Sequence, residues 1–239
     1  TQAPQHWAQA QVYAYIVAVQ REVEEVEIQL TYVNLDSWQT AEQHRSYGRD
    51  ELVDIFHGLL RKYLRWVGAY REWCEKRDRS IARLHFPFPT LRKGQRELML
   101  ATYQAIEVQG NLFAQAPTGI GKTISVLFPA IKGVGQGKVE KVFYLTAKTS
   151  GRAVAEKTLD DMRSEGLAVK SIRLTARDKI CFVQPGQASC DPERCDFAIG
   201  YFDRVGGAIE ELFQLDAFTP AAIEETARRH TVCPFELSL

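Results

Sequence analysis

The stretch Ala116-Pro117-Thr118-Gly119-Ile120-Gly121-Lys122-Thr123 constrains this chain more than any other. The apolar run Asn111-Leu112-Phe113-Ala114-Gln115 before it reads as a buried strand. The run Ile124-Ser125-Val126-Leu127-Phe128 after it suits a short buried helix. Strand, glycine-bearing loop, Gly-Lys-Thr and helix together form a cradle for a nucleoside triphosphate. Gly119 and Gly121 let backbone N–H groups turn inward with no Cβ in the way. The helix N-terminus adds partial positive charge. Lys122 is placed to reach the β- and γ-phosphates, and the Thr123 hydroxyl to ligate Mg²⁺. Pro117, Thr118 and Ile120 complete the set of nucleotide-contacting positions. The reading is an ATP site.

The general phosphate-loop pattern begins with Gly, and Ala116 stands in that place. The form Ala-x-Thr-Gly-x-Gly-Lys-Thr resembles the nucleotide loop of superfamily-two helicases rather than that of kinases or small GTPases. Upstream, Phe88-x-x-Leu91-Arg92-x-x-Gln95-Arg96-x-x-Met99 enters a helix expected to extend to about Val108. A Gln amide both donates to and accepts from an adenine edge, which neither Lys nor Glu does. Gln95, 21 residues before Ala116, resembles the Q-motif of the same superfamily, which implies adenine recognition.

With 239 residues, 45% apolar and 25% charged, the chain has the make-up of a soluble globular protein. No apolar run approaches the roughly 20 residues that span a bilayer. The start, Thr1-Gln2-Ala3-Pro4-Gln5, is neither a signal peptide nor an initiator Met, so a start within a longer protein is expected. The expected compartment is cytoplasmic or nucleoid-associated, with a monomer as the expected state. Net charge is zero, but its distribution is uneven. Residues 131–180 hold eleven Lys/Arg against six Asp/Glu, and residues 181–239 hold four against ten. Such a basic middle suits a local phosphate-binding face, as it would an ordinary solvated one.

Pro4 to Gln20 reads as a helix with Trp7, Ala10, Ala14, Val17 and Ala18 on one side. Residues 26–33 alternate with period two and read as a half-buried strand. Asp50 to about Trp73 reads as a long amphipathic helix whose stripe Val53, Phe56, Leu60, Tyr63, Leu64, Val67 and Tyr70 is expected in a core. Gln9-x-x-x-Tyr13, overlapped by Gln11-x-x-x-Tyr15, resembles the Gln-x-x-x-Tyr motif of RecB-like nucleases of the PD-(D/E)XK group. That family's acidic metal ligands would precede Thr1, so the resemblance implies the end of such a domain without its active site. Ser80 to Thr90, with Pro87 and Pro89, reads as a linker.

Beyond the loop, residues 140–147 read as a buried strand, Arg152 to Arg163 as a helix, and residues 169–174 as a third strand. This alternation predicts an α/β domain, a RecA-like parallel sheet covered on both faces. Ligands bind at the carboxyl ends of such strands. Thr146, Lys148 and Thr149 lie at one, and resemble the helicase motif that grips single-stranded DNA.

Four of the five cysteines fall in the last 59 residues: Cys181, Cys190, Cys195 and Cys233. Cys74, alone in the long helix, is expected as a buried small hydrophobe. Without a secretion signal, a metal site is expected over disulfides. The intervals are eight, four and thirty-seven residues, and the middle one alone has zinc-like spacing. From spacing, zinc, iron–sulfur and unrelated structural thiols all stay open.

The order along the chain resembles the XPD/DinG family of iron–sulfur helicases. A Q-motif leads to the Gly-Lys-Thr loop and a Leu-Thr-Ala strand end. Arg177-Asp178-Lys179-Ile180-Cys181 and, last, Cys233-Pro234-Phe235 then follow. The resemblance covers residues 86–239. It implies a [4Fe–4S] cluster on Cys181, Cys190, Cys195 and Cys233, in a small, mainly helical domain inserted into the first RecA-like domain. It also implies 5′-to-3′ unwinding of single-stranded or forked DNA with ATP and Mg²⁺, in repair or replication. The expected organisation is 1–83 nuclease remnant and long helix (an α+β segment), 84–178 part of the ATP-binding domain, and 179–239 part of the cluster domain. The family's Asp-Glu-Ala-His box does not occur before Leu239, so the chain is expected to be a helicase fragment inactive by itself. The rival readings are a zinc-stabilised nucleic-acid-binding module with a non-hydrolysing loop, and a nuclease-associated scaffold without turnover.

Overall fold

The computed structural model describes residues 4–147, 149–183 and 190–239. It divides into two compact units, Thr1–Cys74 and Glu75–Leu239, with the division inside one long helix.

The first unit opens with helix α1 (Pro4–Gln20). Strands β1 (Glu25–Val33) and β2 (Thr40–Gly48) form an antiparallel hairpin with Glu25 opposite Gly48 and Val33 opposite Thr40. Asn34 closes its turn, its Oδ1 accepting from the N–H of Asp36 and Ser37 at 2.9 Å each. Trp7, Ala14 and Ala18 of α1 pack on Ile28, Tyr47 and Leu52, and the Arg45 guanidinium lies 4.4 Å above the Trp7 ring. Val17, expected on the same side, is 38% exposed. Helix α2 (Arg49–Arg83) begins with Asp50 and Glu51 in its first turn, which suits the helix dipole. Its early apolar residues join the core: Leu52 is fully buried, and Phe56 stacks on Tyr15 with centroids 4.1 Å apart. Further along, the expected core stripe lies open, with Leu60, Tyr63, Leu64, Val67 and Tyr70 all exposed. Periodicity identifies a face that burial would favour, and names no surface to bury it against.

In the second unit the end of α2 meets α4 (Lys122–Gly135) and α5 (Thr149–Ser164). Ile81 and Leu84 pack with Ile124, Leu127, Ile131, Ala155, Met162 and Leu167. Helix α3 (Gln95–Glu107) lies along α4. The segment expected as a linker from Ser80 is therefore helical to Arg83, and its Ser80 hydroxyl accepts from the Ala168 N–H at 2.9 Å.

Strand β3 (Ser171–Ile172) pairs in parallel with β4 (Ala217–Phe218). Arg163 ties this junction, donating to the Val169 and Asp216 carbonyls and the Ser171 hydroxyl. Among the described residues the other elements are helical: α6 (Arg177–Ile180), a 3-10 turn (Pro192–Arg194), α7 (Tyr201–Leu212), α8 (Pro220–His230) and α9 (Pro234–Leu237). Fully buried Ala208 and Ala227 let α7 and α8 approach closely around Val232.

Among the described residues, the strands expected around the phosphate loop have no paired neighbour. Neither 111–115 nor 140–147 is paired in a sheet among the described residues, and 169–174 contributes only Ser171–Ile172. The side chains expected to be buried there are open: Phe113 is 98% and Leu145 89% exposed. A strand exists only where a neighbour accepts and donates its backbone hydrogen bonds. Apolar runs advertise a need for burial without supplying that neighbour. Among the described residues no helix is long and apolar enough to cross a membrane.

Candidate functional site

The loop from Ala116 to Gly121 enters α4 through two left-handed residues, Gly119 at φ 86° and Gly121 at φ 83°. Gly121 is the N-cap and offers no side-chain cap. The first N–H groups of a 14-residue helix are thus left without a side-chain cap, beside Lys122 and Thr123. Uncapped donors, helix dipole and a cation converge, which is the chemistry of an anion site. The Lys122 ammonium folds back on the loop, donating to the Ala116 and Pro117 carbonyls at 3.2 and 3.0 Å. Thr123 Oγ1 lies 3.3 Å from the Tyr144 hydroxyl. Ile120 is buried and anchors the loop, whereas Pro117 and Thr118 are exposed.

Gln95, at the start of α3, belongs to the same site. It is 3% exposed, and its Oε1 accepts from the Arg92 N–H at 3.0 Å. Arg92 in turn donates from Nη1 to the Gly119 carbonyl at 2.5 Å. Arg92 was legible as part of the Gln95 pattern, but that pattern gave it no role on the loop. Tyr144 carried no signal beyond its place in an apolar run.

The expected DNA-gripping residues are only partly described. Thr146 is exposed, and its side chain occupies the space above Gly151 in the first turn of α5. Lys148 lies outside the described residues, as does the side chain of Thr149, where α5 begins. In α1, Gln9 Nε2 donates to the Tyr13 hydroxyl at 3.5 Å on an exposed face. Tyr15 instead turns to Phe56, so the two overlapping pairs point to different surroundings.

Three of the four clustered cysteines mark element ends. Cys181 closes α6, Cys195 closes the 3-10 turn, and Cys233 caps the start of α9. Cys190 is exposed. Packing draws these ends together: Ile180 belongs to a core on which Phe235 and Leu237 pack, and Phe182 packs on the core that holds Val232. The Phe182 and Phe197 rings meet edge to face at 5.0 Å, and Arg228 lies 3.9 Å above Phe182. Burial pushes the Cys233 thiol pKa up, and the nearby Cys195 adds to the shift. Burial, then Glu236 and Cys233, push the Tyr201 hydroxyl up to about 12. Four thiols suit a thiophilic metal or an iron–sulfur cluster in donor chemistry. Yet no group of three or more His, Cys, Asp or Glu side chains among the described residues is drawn close enough to hold a metal ion. The donor set fits; the coordination shell is not assembled. Cys74, expected buried, is half-buried in α2.

Sequence reasoning also missed an ionic cluster between α7 and α8. Glu211 accepts from Arg229, from His230 Nε2 at 2.9 Å and from the Thr226 hydroxyl at 3.0 Å. These bonds, Arg229's first, hold its carboxyl down at about 2.

Comparison with known proteins gives one short likeness. Over 46 residues, 19% of this chain, the sequence is 46% identical to a protein of Methanocaldococcus jannaschii named "Probable ATP-dependent helicase". The likeness spans 7% of that protein's length. No protein-family model matches the chain, and no solved structure matches it.

Proposed function

We propose that this chain is part of an ATP-dependent DNA helicase of the iron–sulfur type. The observation that carries the reading is the convergence of Gln95, Gly119, Gly121, Lys122 and Thr123 at the open N-terminus of α4. The short likeness to a protein named as a helicase supports it. In this reading the loop amides and Lys122 bind the phosphates, and Thr123 holds Mg²⁺. Gln95 selects adenine through its amide. The apolar segments 111–115 and 140–147 belong to a RecA-like sheet. Thr146, Lys148 and Thr149 rest on the backbone of single-stranded DNA, and domain closure on ATP steps the strand 5′ to 3′.

Cys181, Cys190, Cys195 and Cys233 hold a [4Fe–4S] cluster, which supplies a rigid cross-link in the small helical domain that helps part the duplex. The α1 and β1 segment is the end of a RecB-like nuclease fold. Without an Asp-Glu-Ala-His box in these 239 residues, this chain binds nucleotide and turns it over no faster than a Lys122→Ala control.

Two measurements on anaerobically purified protein test the reading. Nucleotide titration is expected to show Mg²⁺-dependent ATP binding that exceeds GTP binding and falls in Lys122→Ala. Metal analysis is expected to give iron and sulfide with a broad brown absorption that Cys190→Ser abolishes. One zinc and no visible band would replace the cluster by a zinc module, with the ATP site kept. Equal ATP binding by wild type and Lys122→Ala would remove the nucleotide site itself.

A further inference from the structure

Arg204, in the first turn of α7, makes three hydrogen bonds to two separate stretches of backbone. Its Nη2 donates to the Asp196 carbonyl at 2.9 Å and the Ile199 carbonyl at 2.6 Å. Its Nε donates to the Thr231 carbonyl at 3.0 Å. The first two acceptors lie in the loop that follows Cys195, and that loop is wound on the cysteine's own carbonyl. The Ala198 and Ile199 N–H groups both donate to Cys195 O at 2.9 Å. The third acceptor is two residues before Cys233, at the left-handed end of α8, where Thr231 has φ 52°. One planar guanidinium therefore spans the Cys195 and Cys233 segments, which are 38 residues apart in sequence. Only Arg has a rigid fork of donors that satisfies carbonyls on both sides at once; the Lys ammonium is a compact point charge.

We propose that Arg204 is a positioning residue that gathers the Cys195 and Cys233 segments before metal arrives. The inference rests on the reading of the four cysteines as metal ligands. A loop-borne thiol that must be found by the metal costs conformational entropy on capture, and a segment already held costs less. The clamp needs no metal to form, since all of its partners are backbone carbonyls. The edge-to-face contact of Phe182 with Phe197 acts alongside it, bringing the residue after Cys181 to the same loop. Nothing in the sequence pattern marks Arg204, because its partners are main-chain atoms.

The test uses the full reduced, metal-free chain in wild-type, Arg204→Lys and Arg204→Ala forms. Cobalt(II) is titrated, and the thiolate-to-cobalt absorption band is read. The expected result is affinity about tenfold lower in Arg204→Ala, with Arg204→Lys intermediate. A second measurement needs no metal. Spin labels are placed on Cys195 and Cys233 with the other cysteines changed to Ser, and their separation is expected to be narrow with Arg204 and broad with Ala. Thermal melting of the metal-free forms separates a local clamp from a general loss of fold. If Arg204→Ala does not fold, the folded Arg204→Lys form decides by the same readings. A change in affinity below about twofold with unaltered label distances overturns the proposal. A wild-type chain in which neither cobalt nor iron with sulfide gives a thiolate-to-metal band overturns the metal reading, and the label distances then report on the clamp alone.

Discussion

Gln95 fills the space that a side chain at Gly121 would take, its Nε2 lying 2.6 Å from the position of that missing Cβ. Gly121 is therefore required twice, once by its left-handed backbone and once by the glutamine behind it. Gly121→Ala adds a cost of about 1–2 kcal/mol for the backbone alone. It also pushes Gln95 off the Arg92 N–H. The expected outcome is a lower melting temperature together with lost discrimination between ATP and GTP. Nucleotide titration against Gly137→Ala, also at positive φ but facing open space, isolates the glutamine's share.

Lys122 holds two loop carbonyls in this structure, and a phosphate must draw it away from them. Charge-assisted bonds to phosphate exceed neutral ones, so the exchange favours the nucleotide. Lys122→Ala removes both interactions, and its effect on folding is small because the side chain is exposed. The expected result is about ten- to hundredfold weaker ATP binding, from losing a bond to a charged group. Calorimetric titration at fixed Mg²⁺ checks it.

Helix α1 and strand β1 were legible, whereas β2 and the pairing near the phosphate loop were not, for one physical reason. Helix hydrogen bonds are local, so Pro4 to Gln20 could be bounded from its own residues, and the start of α4 from its glycines. Strand β2 carries Thr-Ala-Glu-Gln-His-Arg-Ser-Tyr-Gly with only Tyr47 buried, so it offers no apolar alternation to read. It exists because β1 pairs with it residue by residue. Segments 111–115 and 140–147 show the converse, apolar sequence without a paired neighbour among the described residues. The left-handed turns at Gly119 and Gly121 were legible because the residue types that demand them stand close together in sequence. The contact of Arg92 with Gly119, the Arg204 bonds and the Glu211 cluster act across long sequence separations on backbone or single charges, and no pattern marks them.

Lys132 of α4 ends the long helix α2. Its ammonium donates to the Ile81 carbonyl at 2.6 Å and reaches the Ala82 carbonyl at 3.5 Å, where the helix leaves acceptors unsatisfied. Burial lowers its pKa, which opposes the gain from the bonds and the helix dipole. Lys132→Met keeps the length of the side chain and removes the donor. A loss of about 1–2 kcal/mol is expected from the unsatisfied carbonyls. Denaturant melts of the two forms at neutral pH measure it.

Glu211 makes stability depend on acid. Its carboxyl is held down at about 2, below the ordinary glutamate range near 4.5, because Arg229 first, then His230 and Thr226, donate to the ionised form. A depressed carboxyl contributes stability that is complete above its unfolded pKa and disappears as pH falls through its folded one. The window therefore runs from about pH 4.5 down to about pH 2. Glu211→Gln retains the shape and an acceptor oxygen but cannot ionise. Its stability is expected to be lower than wild type at neutral pH, with the difference shrinking across that window. The cluster is exposed enough for salt to screen part of the effect, so high ionic strength narrows the gap further. Melting temperatures of both forms from pH 6 to pH 2 at two salt concentrations give the comparison. Parallel curves over that range would assign the acid sensitivity to other carboxylates.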